Sequence, residues 1–382
     1  MFLLKKTKDI FSILNSGLFS FTSESYKKEL DDSYSKRIEL QKRTLLNKKH
    51  NKEFLLNFRH PLSPSIIVEQ HLLQGHPKPN IKNLKQLAKY ILINFMKIFH
   101  SFSYAEKDWL KWSFNRFKIS VSAANRNKES LSLVGNPPFI NTKNFKWNLR
   151  HLRYLIIRDR LYSYLSKEKL SKIKSVIDLG GCYGGYISLL AKDNPNRSYV
   201  LVDLAENIPL ATYYLSSLHP NMNIKVINKI DDDYTHETNT FTLIPAHLFN
   251  VVKNYKFDLF CNFVSLAEMS RKHFDEYIDS SIYKEAKYIH LVNRFVSSPS
   301  FSRGTNPHTW MLSNQNIYDY GLDRRKNIMF DVFPLYHFFP ISEDKFSNPR
   351  EYKFTSFFSL FWKWKRSPIT SQYFESISEI DN

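Results

Sequence analysis

The chain is poor in glycine, in cysteine and in long apolar runs. Only nine of its 382 residues are glycine, and two are cysteine, Cys182 and Cys261. Two cysteines cannot build a disulfide framework, which favours a reducing, cytoplasmic compartment. No run reaches the ~18 apolar residues of a membrane span, and Asn15, Ser16 and Gly17 interrupt the first apolar stretch, so we expect no signal peptide. The hydrophobic content of 42% and aromatic content of 15% are typical of a globular protein.

The positive charge lies mainly in the first part of the chain. The formal net charge is +19, and residues 1–150 carry 27 Lys and Arg against 11 Asp and Glu. The stretch 26–52 is especially rich in Lys and Arg interleaved with leucine. Such a stretch is suited to an anionic membrane surface, a nucleic acid or an anionic glycan, or it forms the solvated face of a helix. With the aromatic and basic residues 357–366, it is a candidate for peripheral attachment to the inner face of a membrane.

Four regions follow from the pattern along the chain. We interpret residues 1–100 as a basic helical extension, 101–170 as a helical lead-in and substrate lid, 171–340 as the core, and 341–382 as an aromatic-basic tail. From residue 175 onward, apolar strands alternate with helical patterns, which predicts a Rossmann-like α/β fold with a mostly parallel twisted sheet flanked by helices. The predicted strands are 175–179, 198–204, 223–229, 241–245, 257–264, 288–292 and 326–339. The predicted helices are 145–166, 185–192, 208–218 and 274–282.

Four of the nine glycines crowd into six residues directly after the strand at 175–179. The loop reads DLGGCYGG from Asp178 to Gly185. Glycine lets the backbone approach a ligand closely, as in the first strand-to-helix turn of nucleotide-binding folds. No three of these glycines have the G-x-G-x-x-G spacing of a dinucleotide site. They fit instead an acidic residue followed by G-x-G-x-G, in which Cys182 replaces the middle glycine.

A second carboxylate, Asp203, ends the next predicted strand, 25 residues after Asp178. This spacing is expected of a βαβ unit. Together the loop and Asp203 resemble the cofactor site of class I S-adenosylmethionine-dependent methyltransferases. The resemblance implies that Asp203 accepts hydrogen bonds from the cofactor ribose and that S-adenosyl-L-methionine is the cofactor. The implied cofactor-binding residues are Asp178, Gly180, Gly181, Cys182, Tyr183, Gly184, Asp203 and Leu204.

Further motifs resemble those of a sugar O-methyltransferase family. They are GNPP at 135–138, NLRHLR at 148–153, VDLAENIPLATYYL at 202–215, DLFCNFVSLAEM at 258–269 and NR at 293–294. The resemblance covers about residues 130–296, and it implies methyl transfer to the hydroxyl of a free sugar, a nucleotide sugar or a glycan. The chain departs from the family at Cys182 and at His247, since an aromatic residue is expected after Pro245.

Active sites of open α/β sheets lie outside the carboxyl ends of the strands. The predicted strands deliver to this edge Ser265, Glu268, Asn293, Arg294 and His247. Glu268 and His247 are the candidate bases that would remove the proton of the acceptor hydroxyl, although Ser265 and Glu268 also fit a capping box. Arg294 suits an anionic substrate group such as a nucleotide-sugar phosphate, or a structural ion pair.

Two other functions stay open on the sequence. A nucleic-acid methyltransferase would bind RNA through the basic region and the aromatic residues near 109–117, but residues 201–300 hold 9 basic and 12 acidic side chains, which disfavours a phosphate-binding surface there. A non-catalytic binding module would have only Cys182 in its support. We predict no metal, because the acidic run 231–233 lacks a defined ligand spacing. His308 and His337 are further candidates for the site.

Overall fold

The computed structural model describes residues 2–4, 7–19, 21, 32–60, 63–67, 130–142, 145–296, 315–333 and 373–381. Its strands are β1 (Phe2–Leu4), β2 (Ile140–Thr142), β3 (Phe145–Trp147), β4 (Ser175–Leu179), β5 (Ser198–Asp203), β6 (Asn223–Val226), β7 (Thr240–Pro245), β8 (Leu259–Phe263), β9 (Tyr288–Arg294), β10 (Arg325–Phe333) and β11 (Tyr373–Ile380). Its α-helices are α1 (Thr7–Ser16), α2 (Asp32–Leu46), α3 (Asn51–Asn57), α4 (Leu149–Tyr164), α5 (Lys167–Lys172), α6 (Gly185–Asp193), α7 (Ile208–Leu218), α8 (Arg271–Ile278) and α9 (Ser281–Lys284).

Nine of these strands form one sheet in the order β1-β6-β7-β5-β4-β8-β9-β11-β10. The six strands from β6 to β9 are parallel, whereas β1, β11 and β10 pair antiparallel. In the centre, β7-β5-β4-β8-β9 has the 3-2-1-4-5 order of a doubly wound sheet. The order in which the chain adds strands reverses between β4 and β8, although the two strands are parallel. The prediction of a Rossmann-like, mostly parallel α/β fold is therefore confirmed.

Two apolar layers cover the sheet. One contains Leu155 of α4, Ile187 of α6 and Leu215 of α7, and the other contains Phe249 and Phe274. We call them the α6 face and the α8 face. Helices on both faces make the central strands apolar on both sides, as expected for a parallel sheet.

Alternation along the strands decides where the two predicted carboxylates point. In β4, Val176 lies on the α6 face and Ile177 on the α8 face. In β5, Leu201 lies on the α6 face. Because successive side chains point to opposite faces, Asp178 and Asp203 both point to the α6 face at the carboxyl ends of adjacent strands.

The C-terminal segment enters the sheet, whereas the sequence interpretation placed 341–382 outside the core. β11 pairs along its length with β9 and β10. The sequence of β11 does not show the continuous apolar run expected of an interior strand, because Glu375 interrupts it. That carboxylate is fully buried, with Oε2 2.6 Å from Arg160 Nε and Oε1 2.8 Å from His290 Nε2.

Three other predicted elements differ in detail. The predicted helix 274–282 is two helices, because Ser280, the residue before α9, adopts an extended conformation. The predicted helix 145–166 begins at Leu149, since Asn148 caps α4 by accepting a hydrogen bond from the His151 N–H at 2.9 Å. The helical extension also contributes β1, which pairs with β6.

Several sequence predictions lie outside the described residues. They are the aromatic residues near 109–117, His308, His337 and the aromatic-basic residues 357–366. In the described part of the chain, no helix has the length and apolarity needed to cross a membrane.

Candidate active site

The glycine loop joins β4 to α6 at the point where the strand order reverses. Gly180 and Gly184 have φ angles of +72° and +78°, a region that favours glycine. A Cβ on Gly180 would lie 2.1 Å from Ser265 Oγ, so the loop after β8 packs directly on this backbone. Gly184 precedes the first residue of α6, so the free N–H groups of that helix face the loop.

Asp178 is a buried carboxyl group without a hydrogen-bond partner among the described residues. Its neighbours on β5 and β8 are Leu201 and Cys261, and a Cβ on Gly181 would lie 2.3 Å from its Oδ2. Burial, followed by the charge of Asp203, raises the pKa of Asp178 to about 8. A side chain at position 181 would clash with this carboxyl group, so the site requires glycine there.

Asp203 ends β5 and is 8% exposed. Its Oδ2 accepts a hydrogen bond from the Cys182 N–H at 2.6 Å, which ties the glycine loop to the neighbouring strand. Its Oδ1 accepts from the Leu204 N–H at 2.7 Å and from Asn207 Nδ2 at 2.6 Å. Burial raises the pKa of Asp203 to about 6, although these three donors act in the opposite direction.

Two non-glycine residues with positive φ lie in the loops after β4 and β8, where the strand order reverses. Cys182 has a φ of +57° in the glycine loop, and the β-branched Val264 has a φ of +77° directly after β8. Such conformations raise the free energy of the fold by ~1–3 kcal/mol each and are often found at functional sites. Cys182 therefore occupies a position that suits the glycine expected from the motif, while nothing in the sequence signalled Val264.

The side chain of Tyr183 lies away from the loop's open side. Its ring is 1% exposed and packs edge-on against Tyr214, with ring centroids 4.6 Å apart. The guanidinium carbon of Arg59 lies 4.8 Å from the centre of the same ring. The Tyr183 ring is therefore held in the core, and Leu204, the other predicted contact, donates its N–H to Asp203 and is half-buried.

A pair of buried asparagines joins the loops after β4, β8 and β9. Asn262 Nδ2 donates to the Leu179 carbonyl at 2.7 Å and to Ser265 Oγ at 2.6 Å, and Asn293 Nδ2 donates to Asn262 Oδ1 at 2.9 Å. Ser265 Oγ itself donates to the Leu179 carbonyl at 3.1 Å. The capping box predicted for Ser265 and Glu268 is wrong, because Ser265 makes no side-chain cap and uses its hydroxyl to bind the glycine loop.

Glu268 and Arg294 meet beyond the ends of β8 and β9. Arg294 Nη2 lies 3.7 Å from Glu268 Oε1, and the Glu268 side chain is 34% exposed. Arg294 Nε donates to the Tyr373 hydroxyl at 2.9 Å, so the C-terminal strand β11 orients this guanidinium. Both predicted residues are thus brought together, and Glu268 stays accessible to solvent.

Two arginines in the first turns of α4 lie near the Glu268–Arg294 pair and add positive charge there. The guanidinium carbon of Arg150 lies 5.9 Å from the centre of the Tyr183 ring. Arg153 is half-buried, and its Nε donates no hydrogen bond to any described residue. Burial, and then the charge of Arg150, lower the pKa of Arg153, while Glu268 acts in the opposite direction. Neither arginine is predicted as a site residue from the sequence, because only the fold brings α4 beside the glycine loop.

His247 lies in the 3₁₀ helix Ala246–Val251 and lines a surface groove of about 510 Å³ together with His273 and Glu276. None of the glycine-loop residues is among the described residues that line this groove. Burial lowers the pKa of His247. The groove belongs to the α8 side, so the structure does not group His247 with Glu268 and Arg294.

Within the described ranges, no three His, Cys, Asp or Glu side chains are close enough to hold a metal ion. Metal independence stays a prediction.

Models of protein families and curated proteins give no match to this chain. Among solved structures, it is similar to the PH0226 protein from Pyrococcus horikoshii OT3, with 10% identity over 61% of this chain and 93% of that one and a TM-score of 0.35. The methyltransferase domain of bacterial CtHen1 gives 11% identity over 62% and 100% of the two chains and a TM-score of 0.34. The mitomycin 7-O-methyltransferase MmcR gives 11% identity and a TM-score of 0.26, and the match spans 40% of its length. Identities and scores at this level carry no function to this chain, which has to be argued from its own site.

Proposed function

We propose that this protein is an S-adenosylmethionine-dependent O-methyltransferase that acts on a sugar hydroxyl. The observation that carries the proposal is the hydrogen bond from the Cys182 N–H to Asp203, which joins the glycine loop to the carboxylate at the end of the next strand. At one edge of the sheet this arrangement combines three features that suit the cofactor: a glycine backbone that a ligand can approach closely, the N-terminus of α6, and a carboxylate that can accept hydrogen bonds from a ribose.

The residues present fit this cofactor. A carboxylate has about four lone-pair positions, and described donors use three of those on Asp203, which leaves room for a ribose hydroxyl. Asp178 is a buried carboxyl that has no protein partner among the described residues. Buried polar groups are nearly always hydrogen-bonded, so an unpartnered one beside a glycine loop fits a site completed by a bound molecule. Gly180 and Gly181 leave no space for a side chain, and they hold the loop backbone at the open edge.

S-adenosylmethionine supplies a methyl group already activated by its sulfonium, so the protein has to align the acceptor and accept its proton. Glu268 is the group we assign to proton removal, because it is partly exposed and lies past the end of β8. Arg294, fixed by Tyr373, orients Glu268 and one end of the acceptor. His247 is the weaker candidate because it lines a different groove.

The arginines favour an acceptor that carries negative charge. Arg150 and Glu268 both act on the charge of Arg153, and Arg294 lies 3.7 Å from Glu268. Guanidinium groups bind phosphate and carboxylate through paired hydrogen bonds. A nucleotide sugar or an acidic glycan therefore suits this edge better than a neutral free sugar.

The basic N-terminal stretch supports a cytoplasmic enzyme at the inner face of a membrane. In α2, Ile38 and Leu45 are buried, while Lys36, Arg37 and Arg43 are exposed on the outer side. Exposed basic residues attract anionic headgroups. Sedimentation with phosphatidylserine vesicles at low salt should carry the protein into the pellet, and protein left in the supernatant would remove this part of the proposal.

One experiment tests the function directly. Labelled S-adenosylmethionine is incubated with the protein and with separated carbohydrate, RNA and lipid fractions. We expect label in the carbohydrate fraction, and loss of transfer in Glu268→Gln. Label in RNA would establish the nucleic-acid alternative, and no label in any fraction would favour a non-catalytic module.

A further inference from the structure

Helix α2 buries a polar residue on the side that faces the core. Ile38, Gln41 and Leu45 are each 0% exposed, at the i, i+3 and i+7 positions of one helical face. Two of these are apolar, as expected for a helix that packs on a core. Gln41 is the exception, and a buried amide is retained only where its hydrogen bonds are made.

Every polar atom of the Gln41 side chain has a partner. Its Oε1 accepts hydrogen bonds from the Ile66 N–H at 2.8 Å and from Ser65 Oγ at 3.1 Å. Its Nε2 donates to the Glu206 carbonyl at 2.7 Å and to Asn207 Oδ1 at 3.1 Å. Because the partners on one side of the Gln41 amide are donors and those on the other side are acceptors, the amide has one possible orientation.

That orientation determines the orientation of Asn207. Because Gln41 donates to Asn207 Oδ1, the Asn207 amide must present its Nδ2 to the other side, where it donates to Asp203 Oδ1 at 2.6 Å. With the amide turned over, an oxygen of Asn207 would face the Asp203 carboxylate and an N–H would face the Gln41 N–H. A chain of hydrogen bonds thus runs from residues 65–66 through Gln41 and Asn207 to Asp203.

We propose that Gln41 is a positioning residue for the cofactor, which acts through Asn207 to hold Asp203 in the rotamer and charge state that bind the ribose. The inference rests on the proposed function for the identity of the ligand. It makes the basic N-terminal segment a part of the cofactor site, in addition to any role of its outer side.

Two carboxyl groups and a backbone donor from the glycine loop lie around Asp203. Glu206, in the turn after β5, raises the pKa of Asp203, and Asp178 on β4 is close enough to be affected by the Asp203 charge. Cys182 contributes its N–H from the glycine loop. With two carboxyl groups nearby, Asp203 depends on its donors to stay ionised near neutral pH, and Asn207 is the side-chain donor among them.

The test uses an isosteric substitution, Gln41→Glu, in the full chain. It keeps the acceptor for Ile66 and Ser65 but replaces the donor to Asn207 by an oxygen, so the Asn207 amide turns and its donor to Asp203 is lost. We expect the dissociation constant for S-adenosylhomocysteine to rise about tenfold, because one charge-assisted hydrogen bond is lost. The control is Lys42→Met, which removes the neighbouring bond from Lys42 Nζ to the Phe21 carbonyl and should leave binding within about twofold.

A double-mutant cycle separates this role from a general effect on folding. In the Asn207→Ala background the relay is already broken, so Gln41→Glu should change binding by less than about twofold. If Gln41→Glu weakens binding by the same factor in both backgrounds, or if Lys42→Met weakens it as much, the relay is disproved.

A second readout does not need the cofactor. Carbon-13 labelling of Asp carboxyl groups, with the Asp203 signal assigned by its absence in Asp203→Asn, gives the pKa of Asp203 in the free protein. We expect Gln41→Glu to raise the pKa of Asp203 by about one unit, since a donor to the ionised form is lost, and to raise it by less in the Asn207→Ala background, where only the added negative charge acts. An unchanged pKa would overturn the inference. Absence of S-adenosylhomocysteine binding by the wild type would instead overturn the proposed function.

Discussion

The carboxyl ends of β4 and β5 carry two buried carboxyl groups, Asp178 and Asp203, whereas the ends of β8 and β9 carry a partly exposed Glu268 beside Arg294. The first pair lies in a setting of glycine backbone, fixed N–H donors and apolar neighbours. The second lies next to arginines of α4. Under the proposed function, the first setting is the cofactor side and the second is the acceptor side.

The difference separates two kinds of binding. On the cofactor side, the hydrogen bonds of Asp203 are already made in the free protein, so little ordering is needed when a ligand binds. On the acceptor side, exposed charge suits recognition of an anionic group. Substitutions on one side should therefore leave binding on the other largely unchanged, and the following predictions test that separation.

The largest effect is expected for Gly180→Ala, which places a Cβ 2.1 Å from Ser265 Oγ and 2.4 Å from Ser265 Cβ. The clash and the positive φ should lower the free energy of unfolding by about 4 kcal/mol, measured by urea titration. The matched control is Gly321→Ala, which has a φ of +59° but no atom within 4 Å of the new Cβ. It should lower the free energy of unfolding by about 1 kcal/mol, the backbone effect alone. Equal losses in both variants would show that the two loops are not packed together.

Glu268→Gln should lower the turnover number by about 100-fold, because a general base contributes at least this much to proton transfer. The dissociation constant for S-adenosylhomocysteine should stay within about twofold of the wild type, since Glu268 lies on the acceptor side. His247→Gln is the comparison variant, and a larger loss of turnover there would transfer the role of base to His247.

Asp203→Ala should weaken S-adenosylhomocysteine binding by about 30-fold, or ~2 kcal/mol, through the lost charge-assisted hydrogen bonds. Calorimetry measures the loss, and circular dichroism checks that the fold is kept. Undiminished binding in a folded variant would move the cofactor site elsewhere.

Asp178→Asn should remove one contribution to the pH dependence of stability. The pKa of Asp178 is about 8 in the fold against 3.8 for an ordinary Asp, so between these values the folded protein holds a proton that the unfolded chain has released. This group therefore lowers stability as pH rises, by up to ~1.4 kcal/mol per unit. Histidines whose pKa is lowered by burial, such as His219 and His247, act in the opposite direction, and they do so equally in the wild type and in the variant. Urea unfolding from pH 6 to pH 8 should therefore give a slope that is more negative in the wild type than in the variant, and equal slopes would contradict the raised pKa.

The smallest effect is expected for Cys182→Gly. Glycine removes the strain of a φ of +57°, while it also adds freedom to the unfolded chain, so the gain in unfolding free energy should be below about 1 kcal/mol. Cofactor binding should be kept, because the contact to Asp203 uses the backbone N–H of residue 182. A loss of binding would assign a role to the thiol.

The meeting of the glycine loop with Asp178 and Asp203 could be predicted from the sequence because its signals are local. Glycine spacing, the acidic residue before it and a carboxylate one βαβ unit later are all readable along the chain. The acceptor side and the Gln41 relay could not, since they depend on contacts between distant segments. Arg153 comes to Glu268 only through the packing of α4, and Gln41 meets Asn207 across 166 residues of sequence. The strand β11 was hidden because a buried ion pair made its apolar pattern discontinuous.

Direct titration of the wild-type protein with S-adenosylhomocysteine and, separately, with NAD tests the central claim most directly. The glycine spacing and the Cys182 to Asp203 contact predict saturable binding of S-adenosylhomocysteine with one site per chain and no heat of binding with NAD. Binding of NAD, or of neither ligand, would contradict the assignment of this loop as a methyl-donor site.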